Sequence, residues 1–157
     1  MNGNYEGTIQ PPVKGESPDA FKPAGLAVDR QDNLYITDNN NLIKYTPKGV
    51  ATISQLKAPN DFIQYIFRDI TLDAAGNMYV TGAVHTDEDT PFILKVAPDG
   101  TILRRWSRPT GNHLRGLAVD SKGNVYVNEG LRDKGYTQLE KFSPDGKLLQ
   151  SWRASTC

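Results

Sequence analysis

Three segments of this chain repeat one another in the same order and register, and a fold without internal repetition does not account for them. Gly25-Leu26-Ala27-Val28-Asp29 is followed, after three residues, by Asn33-Leu34-Tyr35-Ile36-Thr37. Asp69-Ile70-Thr71-Leu72-Asp73 is followed at the same interval by Asn77-Met78-Tyr79-Val80-Thr81. Gly116-Leu117-Ala118-Val119-Asp120 is followed likewise by Asn124-Val125-Tyr126-Val127-Asn128. The three closing aspartates lie 44 and 47 residues apart. Each unit continues into a Lys-centred run, at Lys44, Lys95 and Lys141, and then a Pro-x-Gly turn at Pro47-Lys48-Gly49, Pro98-Asp99-Gly100 and Pro144-Asp145-Gly146. A last short run ends at Trp106 in the second unit and Trp152 in the third.

Each unit reads as four short strands. The Asp-x-x-Gly-Asn segments, Asp73 to Asn77 and Asp120 to Asn124, are hairpin turns in which Gly supplies a positive φ and Asp and Asn bond nearby backbone. The central strands are apolar on both faces, as in sheets covered on both sides. No amphipathic helix pattern appears. Four antiparallel strands recurring every 40-odd residues are the signature of a propeller blade. The expected fold is therefore all-β, a β-propeller segment of three four-stranded antiparallel blades at residues 22–57, 67–106 and 113–153. Gly7-Thr8-Ile9-Gln10 matches Gly100-Thr101-Ile102-Leu103, so residues 7–12 are expected to form one extra N-terminal outer strand. Residues 1–157 are read as a single propeller segment.

The blade motif resembles the NHL repeat family of β-propellers. The resemblance rests on Pro23-Ala24-Gly25-Leu26-Ala27-Val28-Asp29, Gly76-Asn77-Met78-Tyr79-Val80, Gly123-Asn124-Val125-Tyr126-Val127 and the Pro-Asp-Gly turns, over roughly residues 22–153. Six-bladed gluconolactonase-like and strictosidine-synthase-like propellers share much of this pattern, whereas WD repeats are disfavoured because no Trp-Asp pair closes a third strand. The chain departs from the motif where Asp69 replaces the first-strand Gly and Lys48 the turn Asp. The resemblance implies a rigid binding scaffold for a protein or small-molecule ligand, with ligands held in loops around the channel.

Three blades do not close a ring, since propellers have typically 4–8. Each open end would expose an apolar sheet face larger than the ~300–600 Å² patch usual on a monomer. Further blades or a second copy must cover those faces. The surplus strand at 7–12 favours a piece of a longer propeller over a dimerising half-ring.

Composition removes several functions. Lys+Arg number 18 and Asp+Glu 18, so the chain lacks the basic excess of a duplex-binding domain. No run approaches the ~18 apolar residues of a membrane span, and the first residues form no signal peptide. Cys157 is the single cysteine, which excludes an internal disulfide and leaves the compartment open. There is no Gly-x-Ser-x-Gly elbow and no phosphate-binding Gly-x-x-x-x-Gly-Lys. No catalytic residue and no cofactor are assigned.

The connections between blades and the loops between second and third strands should open on one face. That face is expected to carry Arg68, Asp69, His85, His113 and Arg115 as ligand-binding residues. Lys22, Arg68, His113 and Arg115 precede the first strands at matching positions and could ring the channel. An enzyme is the less favoured alternative. The resemblance extends to propellers that are metal-dependent lyases or lactonases, and some amidating lyases gather several histidines around zinc. Catalytic zinc normally takes three protein ligands, and only two histidines exist here. Asp69, Glu129 and Asp38 are candidate carboxylates at the channel mouth, with Asp69 equally a strand cap. Asp87-Glu88-Asp89 lacks a calcium-loop pattern and reads as a solvated acidic loop. A second alternative is single-stranded RNA binding, as in certain NHL propellers, with Phe62, Tyr65 and Phe67 stacking bases. The repeated Asp29, Asp73 and Asp120 read as structural.

Overall fold

A computed structural model of the chain describes residues 21–39, 41–49, 51–56, 64–85, 90–107, 113–130 and 137–154. The expected outer strand at 7–12, the acidic run 87–89, Phe62 and Cys157 lie outside the described residues. The first sheet comprises β1 (Pro23–Val28), β2 (Leu34–Asp38), β3 (Asn41–Tyr45) and β4 (Ala51–Gln55). The second comprises β5 (Gln64–Leu72), β6 (Met78–His85), β7 (Thr90–Val96) and β8 (Ile102–Ser107). The third comprises β9 (His113–Val119), β10 (Val125–Gly130), β11 (Thr137–Phe142) and β12 (Leu148–Ala154). All neighbours pair antiparallel in sequence order, and no helix occurs among the described residues. The structure is thus three four-stranded blades, as the repeat predicts.

The first strands of the blades pack on one another, β1 on β5 and β5 on β9, and so form the inner wall. Their approach is close. A Cβ on Gly25 would stand 2.7 Å from the Cα of Asp69 and 2.9 Å from the Arg68 carbonyl oxygen, so only glycine lets β1 reach the backbone of β5.

Strand alternation gives each blade two apolar faces. Tyr35, Leu42 and Leu56 of the first blade pack against Phe67, Ile70, Val80, Phe92, Leu94 and Val96 of the second. On the other side of that sheet, Tyr79, Ile93 and Trp106 meet Leu114, Val125, Val127 and Phe142 of the third. The core therefore lies between blades rather than within one layer.

One polar unit recurs in every blade. Asp29 accepts hydrogen bonds from the backbone N–H of Gln31 and Asn33, from Asn33 Nδ2 and from the Tyr35 hydroxyl. Asp120 does the same with Lys122, Asn124 and Tyr126, and Asp73 with Ala75 and Asn77. Lys44, Lys95 and Lys141 each place Nζ over the ring of the cross-strand tyrosine, 5.0 to 5.2 Å from the centroid. Gly76 and Gly123 take the positive φ the hairpin demands, and Asp32 takes it at 60° in the first blade. Asp, Asn, Tyr and Lys thus repeat because together they close a turn.

Candidate functional site

The two ends of the inner wall differ. At one end the three Asp-centred hairpins surround a groove of about 510 Å³. Its carboxylates are already occupied by their own turns. The side-chain amide of Asn124 is the main influence holding Asp120 down at about 2; burial opposes it, while backbone N–H groups and the Tyr126 hydroxyl add to it. For Asp29, burial pulls upward, yet the bonds from Asn33, Gln31 and Tyr35 outweigh it and lower the pKa. A carboxylate so satisfied has little left to offer a ligand.

At the other end every inner strand carries a bulge at the same place. Ala24 is the extra residue between the pairs Pro23–Asp38 and Gly25–Thr37. Arg68 is extra between Phe67–Gly82 and Asp69–Thr81. In the third blade Arg115 and Gly116 together oppose Asn128. A bulge breaks the ladder locally and re-aims a side chain, and such features concentrate at sheet rims and sites. The freed backbone groups are satisfied in two blades by a threonine, with Gly25 N donating to Thr37 Oγ1 at 2.8 Å and Asp69 N to Thr81 Oγ1 at 3.2 Å.

The bulges shape a cleft of about 390 Å³ where three blades meet, lined by Lys22, Ala24, Asn39, Ile66, Phe67, Arg68, Leu114 and Arg115. One cation comes from each blade. Arg115 is exposed and lies along β10 at Gly130, where a Cβ would stand 3.2 Å from its Nε. The rim is held by backbone: Phe67 N donates to the Asn39 carbonyl at 2.7 Å, and Lys22 N to Asp38 Oδ1 at 2.9 Å. Cations on a rigid rim with apolar flanks suit an anionic group carried on a partly apolar ligand.

The expected site residues divide. Arg68 and Arg115 line the cleft together, joined by Lys22. Asp69 is not among its lining residues. Its carboxylate accepts from the backbone N–H of Ile70 at 2.9 Å and lies near that of Leu117 in β9. Burial raises its pKa against the pull of those two donors. His85 ends β6 opposite Gln64, and His113 opens β9 opposite Gly130, so both stand at the cationic end of neighbouring blades. Glu129 is buried in β10 and Asp38 in β2. Tyr65 and Phe67 correct an expectation: they belong to β5 and are buried, packing with Phe92 at 4.8 and 6.3 Å between ring centroids. Rings consumed by an interblade core cannot stack on bases. Asn39, just after β2 in the loop expected to open on this face, also lines the cleft. Among the described residues no group of three His, Cys, Asp or Glu is placed to hold a metal ion.

No family model matches the chain. Among solved structures it resembles a streptogramin B lyase, with a TM-score of 0.62 and 17% identity over 87% of this chain and 41% of that one. It resembles equally a catalytically inactive virginiamycin B lyase from Staphylococcus aureus solved with quinupristin, with a TM-score of 0.62, 15% identity and coverage of 90% and 44%. The fold is that of a β-propeller segment. Among curated proteins, peptidyl-glycine alpha-amidating monooxygenases B and A of Xenopus laevis are each 24% identical over 85% of this chain. The chain spans only 18% and 17% of their lengths. No described helix is long and apolar enough to cross a membrane.

Proposed function

We propose that the chain is a non-catalytic propeller scaffold of NHL type that binds a protein or small-molecule ligand through an anionic group at the cationic channel mouth. The observation that supports this most is the meeting of Lys22, Arg68 and Arg115, one from each blade, around a single cleft. Bulges at equivalent positions present Arg68 and Arg115, while Lys22 stands just before β1, which is how a repeat fold separates its recognition residues from its architecture. His85 and His113 stand at the same end and fall within the proposed face, and Asp69 stands directly beside the Arg68 bulge. The scaffold would require further blades or a second copy to complete its channel.

The test is calorimetric titration with inorganic pyrophosphate as the probe. Charge-assisted hydrogen bonds contribute about 1.5–3 kcal/mol each, so Arg68→Ala with Arg115→Ala should weaken binding by about 100-fold while circular dichroism is unchanged. Absence of binding to the native chain, or binding that survives the double substitution, overturns the reading.

A second reading, a metal-dependent lyase or lactonase, is favoured by the placement of two histidines at one end of neighbouring blades, and the solved neighbours are lyases by name. Stoichiometric zinc or calcium in the purified protein, retained through gel filtration, would support it. Single-stranded RNA binding loses two of its three candidate stacking rings with the burial of Tyr65 and Phe67. Phe62 lies outside the described residues, and a steep salt dependence of oligonucleotide binding through the basic rim would be the sign of this reading.

A further inference from the structure

The glycines that approach a neighbour divide by what a side chain there would strike. A Cβ on Gly25 would meet the Cα of Asp69 at 2.7 Å, and one on Gly82 the Ile66 carbonyl oxygen at 2.5 Å and the Phe92 ring at 2.7 Å. One on Gly146 would meet the Trp106 indole at 3.1 Å, and one on Gly123 the Pro144 ring at 3.3 Å. Those neighbours are backbone or rings, which cannot swing aside. Gly130 differs. The three atoms nearest to a Cβ there all belong to one long side chain, that of Arg115: Nε at 3.2 Å, Cζ at 3.7 Å and Cδ at 3.8 Å.

The blades diverge at this position. Gly130 is the fourth residue after Tyr126, as Asn39 is after Tyr35 and Ala83 after Tyr79. Two blades carry a side chain here and the third carries none. Gly130 ends β10, paired with His113 of β9 and Thr137 of β11. It is not among the glycines of positive φ, so no turn requires it. Glycine inside a strand gives up backbone entropy that alanine would spare. What the missing Cβ provides is room for Arg115 to lie against β10 while lining the cleft with Lys22 and Arg68.

We propose that Gly130 is a positioning residue of the cationic cleft: its bare backbone sets the course of Arg115 along β10 and so aims the guanidinium at the oxyanion of the ligand. The inference rests on the reading of the cleft as the ligand site. A guanidinium is a planar fork whose hydrogen bonds depend on its orientation. A long exposed side chain must otherwise be ordered at the moment of binding, and a preset course removes part of that cost. A methyl group at residue 130 requires Arg115 to give by a few tenths of an ångström, and a branched side chain requires more.

The test is a substitution series read by three measurements: pyrophosphate calorimetry, the thermal midpoint, and the Arg115 Nε–Hε signal in a proton–nitrogen NMR spectrum. Loss of that signal in Arg115→Ala identifies it. A glycine that only shapes the fold loses midpoint when it is filled. Gly130→Ala and Gly130→Val should keep or raise the midpoint, because strands favour both residues over glycine. Affinity should fall slightly in Gly130→Ala and about 10-fold in Gly130→Val, close to the loss in Arg115→Ala alone. On the Arg115→Ala background, Gly130→Val should cost no further affinity. In the ligand-free protein, Gly130→Val should move the Arg115 Nε–Hε signal and leave those of the other arginines in place. Unchanged affinity in Gly130→Val, an equal further loss on the Arg115→Ala background, or a drop in midpoint that accounts for the lost binding overturns the proposal. If the native chain binds no pyrophosphate, the ligand reading falls and the NMR signal decides alone. An unmoved signal then overturns the placement of Arg115 by Gly130, and a moved one upholds it.

Discussion

The two mouths of the inner wall are made from opposite ends of the same three strands, yet they follow different rules. At the hairpin end the blades agree residue for residue in what matters: Asp29, Asp73 and Asp120 each hold an Asn and a turn. At the bulged end they diverge, with Ala24, Arg68 and Arg115 at the extra position and Gly25, Asp69 and Gly116 beside it. Agreement between repeats marks what every blade needs in order to fold. Divergence at a geometrically identical position marks what only one blade needs, and that is where recognition is sought.

The strongest challenge to this division is Gly25→Val. Here a bulged-end residue is architectural, because its missing Cβ admits the β5 backbone. Overpacking of this kind costs about 3 kcal/mol, read as a lowered urea midpoint, and ligand binding should fall only in proportion to unfolding. Next, Asp73→Ala removes the acceptor of three hydrogen bonds at a largely buried carboxylate. A loss of about 1–2 kcal/mol is expected from capping-type bonds, with pyrophosphate affinity unchanged. Arg68→Ala with Arg115→Ala should show the reverse pattern, an affinity loss of about 100-fold with little change in midpoint.

The smallest effect is a matter of sign. Asp120 has a folded pKa of about 2, below its ordinary 3.8. Its contribution is fully present above the ordinary value and is lost as pH falls through the folded one. Asp120→Asn should therefore be less stable than the native chain above pH ~4, and the difference should close toward pH ~2. Asp69 is raised instead, chiefly by burial, so its protonation on acidification adds stability. The native chain should therefore gain on Asp69→Asn as pH falls toward ~4, the opposite of the closing difference at Asp120. Thermal midpoints of the two variants against pH read both signs.

The repeat made the blades legible because each polar signal has one local task. An Asp four residues before Asn, with a positive-φ residue between, specifies a hairpin almost regardless of context, and the alternation around it specifies the faces. The cationic cleft was only partly legible. Arg68 and Arg115 were visible as matching positions, and Lys22 with them, but a bulge is an extra residue in one strand relative to its partner. It becomes apparent only when Phe67–Gly82 and Asp69–Thr81 are seen to pair around Arg68. Tyr65 and Phe67 were misread as loop aromatics because the strand begins at Gln64, earlier in its unit than in the other blades. Only the sheet reveals that extension, which turns candidate stacking platforms into core. Asp69 looked chemical because it stands where Gly25 and Gly116 stand. Its carboxylate instead accepts from the backbone N–H of Ile70 in its own strand, the cap role its position equally allowed.

The central claim is that recognition lies at the divergent mouth and architecture at the repeated one. Backbone-amide shift mapping during a titration with pyrophosphate tests it most directly. The account predicts saturable shifts at residues 22–25, 66–69 and 113–116, with residues 29–33, 73–77 and 120–124 unmoved. Shifts confined to the hairpin end, or the absence of saturable shifts at the bulged end, would contradict it.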